Sequence, residues 1–268
     1  FTTNCNEKLA SIEFMYLINV IVATCSKPPE EIVVPSCVNR IGKAAFANCN
    51  RCHTIAFEDN SKLNSIGSEI LKDSSVKTLH LPDSLQQLDD SFGSNASFLT
   101  SIVLSPKNTR FRYIDNKFLV GNNGEVSDFS VLFFAQKKIL TARIPSYIKK
   151  ISKYAFNKCQ YLKKVKFEAD SILEELDDHA FSYCTNLELV DSLPRSVKRI
   201  GSSCFSHNSQ LRSIELPCNN TTIVSYAFID CGNLSLISLQ NSKTITFDED
   251  SLLRASDNIV LFMSPDSD

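Results

Sequence analysis

The chain has 268 residues, with 28 Lys and Arg against 30 Asp and Glu and a net charge of −2. Charge this balanced gives no overall basic excess of the kind a nucleic-acid binder carries, so no nucleic-acid partner is expected. Apolar residues make up 43 %, as in ordinary folded chains, while only 7 Gly and no Trp exclude collagen-like and Gly-rich arrays and argue against propellers.

In chain order, the first residues read as the middle of a repeat. The chain opens on Phe1 rather than Met, and Phe1 and Cys5 sit near the Phe and Cys positions of the units described below. A piece of a longer protein, or one that has lost an N-terminal segment, is therefore expected. The longest apolar run, Phe14–Cys25, is too short to span a bilayer. Preceded by Glu13, it is also a poor signal-peptide core. Leu9-x-x-Ile12-x-Phe14 and Ile18-x-x-Ile21-x-x-x-Cys25 place it in the repeat instead.

Runs of the form Leu-x-x-Ile-x-Leu then recur, and their period-two alternation predicts short half-buried strands. They are expected at 9–14, 32–34, 52–57, 76–81, 99–104, 142–144, 162–167, 187–193, 211–216, 234–239 and 259–262. Proline often follows (Pro35, Pro82, Pro145, Pro194 and Pro217), where it ends a strand without removing a central hydrogen bond. Between Leu104 and Ile144 the period is interrupted. Within 113–138, Phe118–Val120 and Val131–Phe134 flank Gly121-Asn122-Asn123-Gly124, which predicts a β-hairpin insertion.

The clearest unit runs Ile148-x-x-Ile151-x-x-x-Ala155-Phe156-x-x-Cys159-x-x-Leu162-x-x-Val165-x-Phe167. Its Phe position returns at Phe181, Phe205 and Phe228, with spacings of 25, 24 and 23. A fixed period in this range predicts a solenoid whose units bury their apolar faces only by stacking. The Ala-Phe pair degrades to Ile70-Leu71, to Phe92-Gly93 and again over 247–252, where less regular coils are expected.

This unit, with a hairpin inserted before one copy, resembles the BspA-like leucine-rich repeat family. The resemblance is strong over 139–239, good over 32–104 and weaker at both ends. It implies an α/β-type, β-rich leucine-rich repeat solenoid spanning 1–268 as one domain of about ten to eleven coils. A parallel sheet would line the concave face, with irregular or short-helical return segments. The family also implies a bacterial or protozoan surface protein that binds host or extracellular-matrix proteins.

Cys49-Asn50-Arg51-Cys52-His53 matches the string for covalent haem attachment. Cys49, however, holds the same repeat position as Cys159, Cys184 and Cys231, and Cys52 replaces a core Leu, so both are expected as small buried hydrophobes. Stacked register cysteines, including Cys204, would point in parallel, whereas a disulfide needs converging Cβ vectors; free thiols are expected there. Cys5, Cys25, Cys37, Cys52 and Cys218 are left undetermined. One C-x-x-C is too little for zinc, and His53, His80, His179 and His207 fall on separate units. Asp177-Asp178-His179 reads as a solvated turn rather than a catalytic base. No catalytic residue, metal site or cofactor is expected. The Phe ladder reads as a buried spine.

The alternate strand positions should face outward, and any partner-binding residues are expected among them. The candidates are Thr54, Thr78, His80 and Ser101, then Lys164, Lys166, Asp191, Ser213, Glu215 and Ser238, with Ala56 and Val103 beside them. Asn95, Asn219 and Asn220 open N-x-S/T strings in turns and are candidate glycan acceptors; Asn233 opens another just before a strand. The resulting expectation is a non-enzymatic protein-binding module on a cell surface or secreted, with no membrane span in this stretch. An intracellular scaffold in the cytoplasm is the alternative, favoured by the register thiols.

Overall fold

Alternating burial converts each Leu-x-x-Ile-x-Leu run into a strand with one apolar face. In the computed structural model, which describes residues 15–17, 20–23, 29–122, 128–217, 219–240, 245–252, 254–256 and 258–264, Glu31–Val34 and Thr141–Ile144 each alternate exposed and buried along their length. The inward residues reach 0–1 % exposure at Ile32, Val34, Ala142 and Ile144. The strand expected over 9–14 lies outside the described residues, as do Cys5, Cys25, Cys218 and the expected hairpin tip at Asn123-Gly124.

The residues fall into two compact units, Phe1–Tyr113 and Ile114–Asp268. In the first, Glu31–Val34, Thr54–Phe57, Thr78–Leu81 and Ser101–Leu104 form a four-stranded parallel ladder. In the second, Thr141–Ile144, Lys164–Phe167 and Leu189–Val190 form one parallel ladder, and Ser213–Pro217, Leu236–Gln240 and Val260–Ser264 another. Each coil also contributes a shorter strand to a further ladder. In the first unit, Ile21, Ile41, Ile66 and Leu88 align across four strands. In the second, Leu132, Ile151, Leu176, Ile200, Ile223 and Phe247 align across six.

The return segments depart from the expected short helices: no described residue is helical, so the α/β and short-helical assignment is corrected to a β-solenoid. The reason lies in two left-handed residues that bracket each Ala-Phe pair. Tyr154 and Lys158 have φ of 59° and 58°, His179 and Tyr183 55° and 58°, and Ser203 and His207 53° and 58°. Positive φ at every fourth residue blocks helix propagation, because L-residues sustain it only singly. The N–H groups so released reach the next coil instead of turning back four residues. Those of Tyr154, Phe156 and Lys158 donate to Asp178, Ala180 and Ser182 carbonyls, and those of His179, Phe181 and Tyr183 to Ser202, Cys204 and Ser206. The backbone polar groups of the turns are thereby satisfied by stacking.

Two of the degraded coils keep this geometry. Glu69 and Asp73 bracket Ile70-Leu71 at φ of 56° and 54°, and Asp250 and Arg254 repeat the pattern over 247–252. Ile70 and Leu71 are fully buried and fill the space of the Ala-Phe pair. Among the described residues of the degraded coils, the departure is at 88–95, where Asn95 alone has positive φ.

A spine of aromatic rings runs through the second unit. Phe156, Phe181, Phe205 and Phe228 stack with centroids 4.5, 5.4 and 5.6 Å apart. Phe118 continues the spine, 5.8 Å from Phe156. Its strand, Phe118–Gly121, pairs antiparallel with Val131–Ala135, which in turn pairs parallel with Lys150–Ile151. These two arms therefore supply the ladder and ring that the first coil of the unit stacks against. A tight turn precedes them: Asp115 and Asn116 both have positive φ, and the Lys117 N–H donates to Ile114 O, the arrangement of a two-residue hairpin turn.

Candidate functional site

The outward positions of the first unit form two columns. Thr54, Thr78 and Ser101 lie side by side on successive strands, continued by Glu31. His80 pairs with Val103, and Val33 with Ala56. Val33 and Val103 are 46 % and 44 % exposed, so this second column is partly apolar. At the exit of the same strands, three successive coils wall a groove of about 630 Å³, built from 57–61, 80–83 and 103–107. Phe57, Pro82 and Pro106 give it apolar sides, and His80 and Val103 join it to the outward column. Asp59, Asp83 and Lys107 are exposed at the groove. The Glu58 carboxylate, also at the groove, accepts the Ser36 N–H of the preceding coil at 2.9 Å. Glu168 does the same for Ser146 at 3.0 Å, so this Glu staples neighbouring turns.

In the second unit the candidates separate into two groups. Lys164 and Lys166 lie opposite Thr141 and Arg143, and Asp191 follows Leu189–Val190 on the next strand. Ser213 and Glu215 pair with Leu236 and Ser238, which pair with Val260 and Phe262. Sequence reasoning placed Arg143 at the centre of a strand but left it out of the outward set. Its neighbours Thr141 and Lys164 carry the same exposed pattern. It also missed the apolar outward residues Leu189, Val260 and Phe262, which are 39–59 % exposed.

The Asp177-Asp178-His179 segment is not the solvated turn expected. Asp177 is only 4 % exposed and meets Lys150 Nζ at 2.8 Å and Arg199 Nη1 at 3.2 Å. Asp178 accepts from Arg199 Nη2 at 2.6 Å, from the Ser202 N–H at 3.0 Å and from Lys153 at 3.2 Å. Burial alone would raise the Asp178 carboxyl, but Arg199, the Ser202 N–H and Lys153 together hold it below the ordinary carboxylate value. His179 lies flat on Tyr154, centroids 4.8 Å apart, and burial lowers its pKa. Three acids, with Glu175, thus meet three bases across neighbouring coils, a self-neutralised arrangement with a structural role.

Cys49, Cys52, Cys159, Cys184, Cys204 and Cys231 are buried and not disulfide-bonded. Burial pushes the Cys52 thiol up to about 11 and Cys231 to about 12. The Cys184 and Cys231 S–H groups donate to Phe156 O and Phe205 O at 3.1 and 3.0 Å. Cys37, by contrast, is disulfide-bonded. Among the described residues no three His, Cys, Asp or Glu side chains are grouped to hold a metal ion, and no helix is long and apolar enough to cross a membrane. Asn95 donates its side-chain amide to Asp73, while Asn219 and Asn220 are exposed. Thr221, which completes the Asn219 string, is fully buried, its hydroxyl donating to carbonyls at 2.8 Å.

The chain resembles solved structures of bacterial repeat proteins. The pneumococcal vaccine antigen PcpA is 22 % identical with a TM-score of 0.67, over 88 % of this chain and 68 % of that one. A leucine-rich repeat protein from Eubacterium ventriosum is 21 % identical with a TM-score of 0.72, over 87 % and 66 %. A leucine-rich cell surface protein from Faecalibacterium prausnitzii is 18 % identical with a TM-score of 0.61, over 88 % and 79 %. The chain spans about two thirds of the length of the first two. No curated protein matches. The family profile described as BspA type leucine rich repeat region matches six copies over 23–123 and 127–256. With the stacked coils and their repeated Phe and Cys positions, this match makes the chain a member of the BspA-type leucine-rich repeat family.

Proposed function

We propose that the chain is a non-enzymatic protein-binding module, exposed on a cell surface or secreted, that contacts a host or extracellular-matrix protein. The observation that carries this reading is the groove of about 630 Å³ walled by three coils of the first unit. Its open mouth, apolar sides and exposed charges suit a projecting loop of a protein partner, with His80 and Val103 at one edge and Thr54, Thr78 and Ser101 extending the contact. Lys164, Lys166, Asp191, Ser213, Glu215 and Ser238 supply corresponding outward contacts in the second unit.

The surface location draws on two further observations. The Faecalibacterium relative is described as a cell surface protein and PcpA as a vaccine antigen. Disulfides persist in oxidising compartments, and Cys37 carries one. The alternative, an intracellular scaffold, draws on the six buried thiols. In a glycosylating secretory route, Asn220 is a better acceptor than Asn219, because the Thr221 hydroxyl is buried. Surface biotinylation of cells that make the full-length protein, with binding of the purified chain to immobilised fibronectin, fibrinogen, laminin and collagen, tests the reading. Surface labelling and saturable binding to at least one of them are expected. Cytosolic confinement with no binding to any would reject it.

A further inference from the structure

We propose that Arg143, Lys164 and Lys166 form a docking point for an acidic segment of the protein partner; this rests on the protein-binding reading above. The stretch 129–167 carries nine Lys and one Arg, and no Asp or Glu. Such a run must find its counter-charges elsewhere, and the structure sorts it by face.

Away from the outward face, six of the seven remaining lysines have a partner among the described residues, exposed Lys138 being the exception. Lys149 meets Asp128 at 3.1 Å, Lys150 meets Asp177 at 2.8 Å, Lys153 meets Asp178 at 3.2 Å, and Lys163 meets Glu188 at 3.4 Å. Lys137 donates to Asn157 O, and the Lys158 ammonium stands 5.8 Å from the Tyr183 ring centroid. The outward face is different. Arg143 and Lys164 are exposed and Lys166 is half-buried, and among the described residues none of the three enters an ion pair. Arg143 lies directly opposite Lys166 on the neighbouring strand, a separation of about 5 Å between the strand axes, with Lys164 about 7 Å further along. Like charges directly opposite are unfavourable. An anionic group placed between them relieves that repulsion, so the patch is complementary to closely spaced carboxylates.

The surroundings choose a protein segment over a continuous polyanion such as a sulfated glycan. Asp191 follows Val190, which is the partner of Val165, so it continues the Lys166 row with a negative charge. Glu215 stands on the following strand of the coil series, its carbonyl accepting the Leu193 N–H. A polyanion laid along this face would meet both carboxylates. A short acidic stretch that gives way to apolar residues instead finds the cations first and then Leu189, 39 % exposed, beside them.

The test uses the whole chain and two probes, a labelled decaglutamate peptide and a labelled heparin decasaccharide, followed by fluorescence anisotropy at low and physiological salt. Decaglutamate should bind the unaltered chain more tightly than heparin does and weaken as salt rises. Charge reversal by R143E, K164E and K166E together should weaken peptide binding by about tenfold or more, whereas K149A with K163A, on matched cations, should change it by less than about twofold. Circular dichroism checks the fold, and K164E alone, at an exposed position, is read in the same way if the triple variant fails that check. Equal peptide binding by the reversed and unaltered chains, or no peptide binding, would overturn the assignment. Heparin binding more tightly than the peptide would assign the patch to a polyanionic sugar and equally overturn it. Neither outcome touches the matrix-protein screen, and an empty screen leaves the peptide titration standing, so the two readings fail separately.

Discussion

The Tyr183 ring lies on the His207 ring with centroids 4.2 Å apart and planes within 15°. Both residues occupy the second left-handed position of their coils. The same position continues the column in both directions. Lys158 stands over Tyr183, His207 Nδ1 is 3.3 Å from Asp230 Oδ2, and Arg254 makes two contacts to the Asp230 carboxylate at 3.0 and 2.6 Å. Side chains that a helix would fan out are thus brought into one line across successive coils. If that line offsets the strain of positive φ, Tyr183→Ala should destabilise the second unit by about 1 kcal/mol. A double-mutant cycle with His207→Ala, read by chemical denaturation, should show coupling of about 0.5–1.5 kcal/mol. Additive effects would place the ring contact outside the stability of the array.

Gly201 permits the close approach of two coils at the charge cluster. A Cβ there would stand 2.6 Å from Asp177 C and Asp178 N and 2.7 Å from Asp178 Oδ1. The first two are backbone atoms and cannot swing aside. Gly201→Ala should therefore cost about 1–3 kcal/mol or more. Gly232→Ala, where nothing lies within 4 Å of the new atom, should cost little. Thermal melts of the two variants make the comparison.

Asn208 sits where neighbouring coils carry Cys184 and Cys231, three residues after the Phe. It is fully buried, and neither its Nδ2 nor its Oδ1 finds a hydrogen-bond partner. An unsatisfied buried amide costs about 1–3 kcal/mol, so Asn208→Cys, restoring the repeat residue, should raise the denaturation midpoint. A fall would mean that the Asn side chain contributes something the packing does not reveal.

The acid limb of stability should depend on Asp178. Its folded pKa is below the ordinary value of 3.8, so its contribution is full above that value. The contribution is lost as pH falls through the depressed folded pKa. Asp178→Asn should lower stability at neutral pH and flatten the loss on acidification. Denaturation midpoints from neutral pH down to about pH 2 measure both effects.

What was legible in the sequence was the part written in apolar spacing. The expected strands that fall on described residues are there, but seven of them begin two residues later than the spacing predicts: 52 for Thr54, 76 for Thr78, 99 for Ser101, 162 for Lys164, 187 for Leu189, 211 for Ser213 and 234 for Leu236. The reason is local. Leu162, Leu187 and Leu234 are as buried as strand residues, yet their N–H groups close turns onto Cys159, Cys184 and Cys231 carbonyls. Burial and strand geometry part company there. The shorter ladder was not legible, since pairs such as Lys150–Ile151 and Glu175–Leu176 are too brief to show alternation. The left-handed positions were hidden too, because Tyr, Lys and His occupy them rather than Gly. Within the candidate site the outward alternation could be read residue by residue. The groove depends on how three loops stack, and the isolation of Arg143, Lys164 and Lys166 depends on which face receives the carboxylates of the next coil.

The most direct test of the central claim, that the outward strand face and its groove form a recognition surface, is the affinity of the unaltered chain and of Val103→Asp with His80→Ala for a matrix protein that the screen proposed above identifies, measured by biolayer interferometry. Both residues are at least partly exposed, so the fold should survive. Binding weakened by about tenfold or more, with binding by Gln87→Ala on the shorter ladder unchanged, is the expected result. Equal affinity for all three proteins would contradict the account and move recognition to another face.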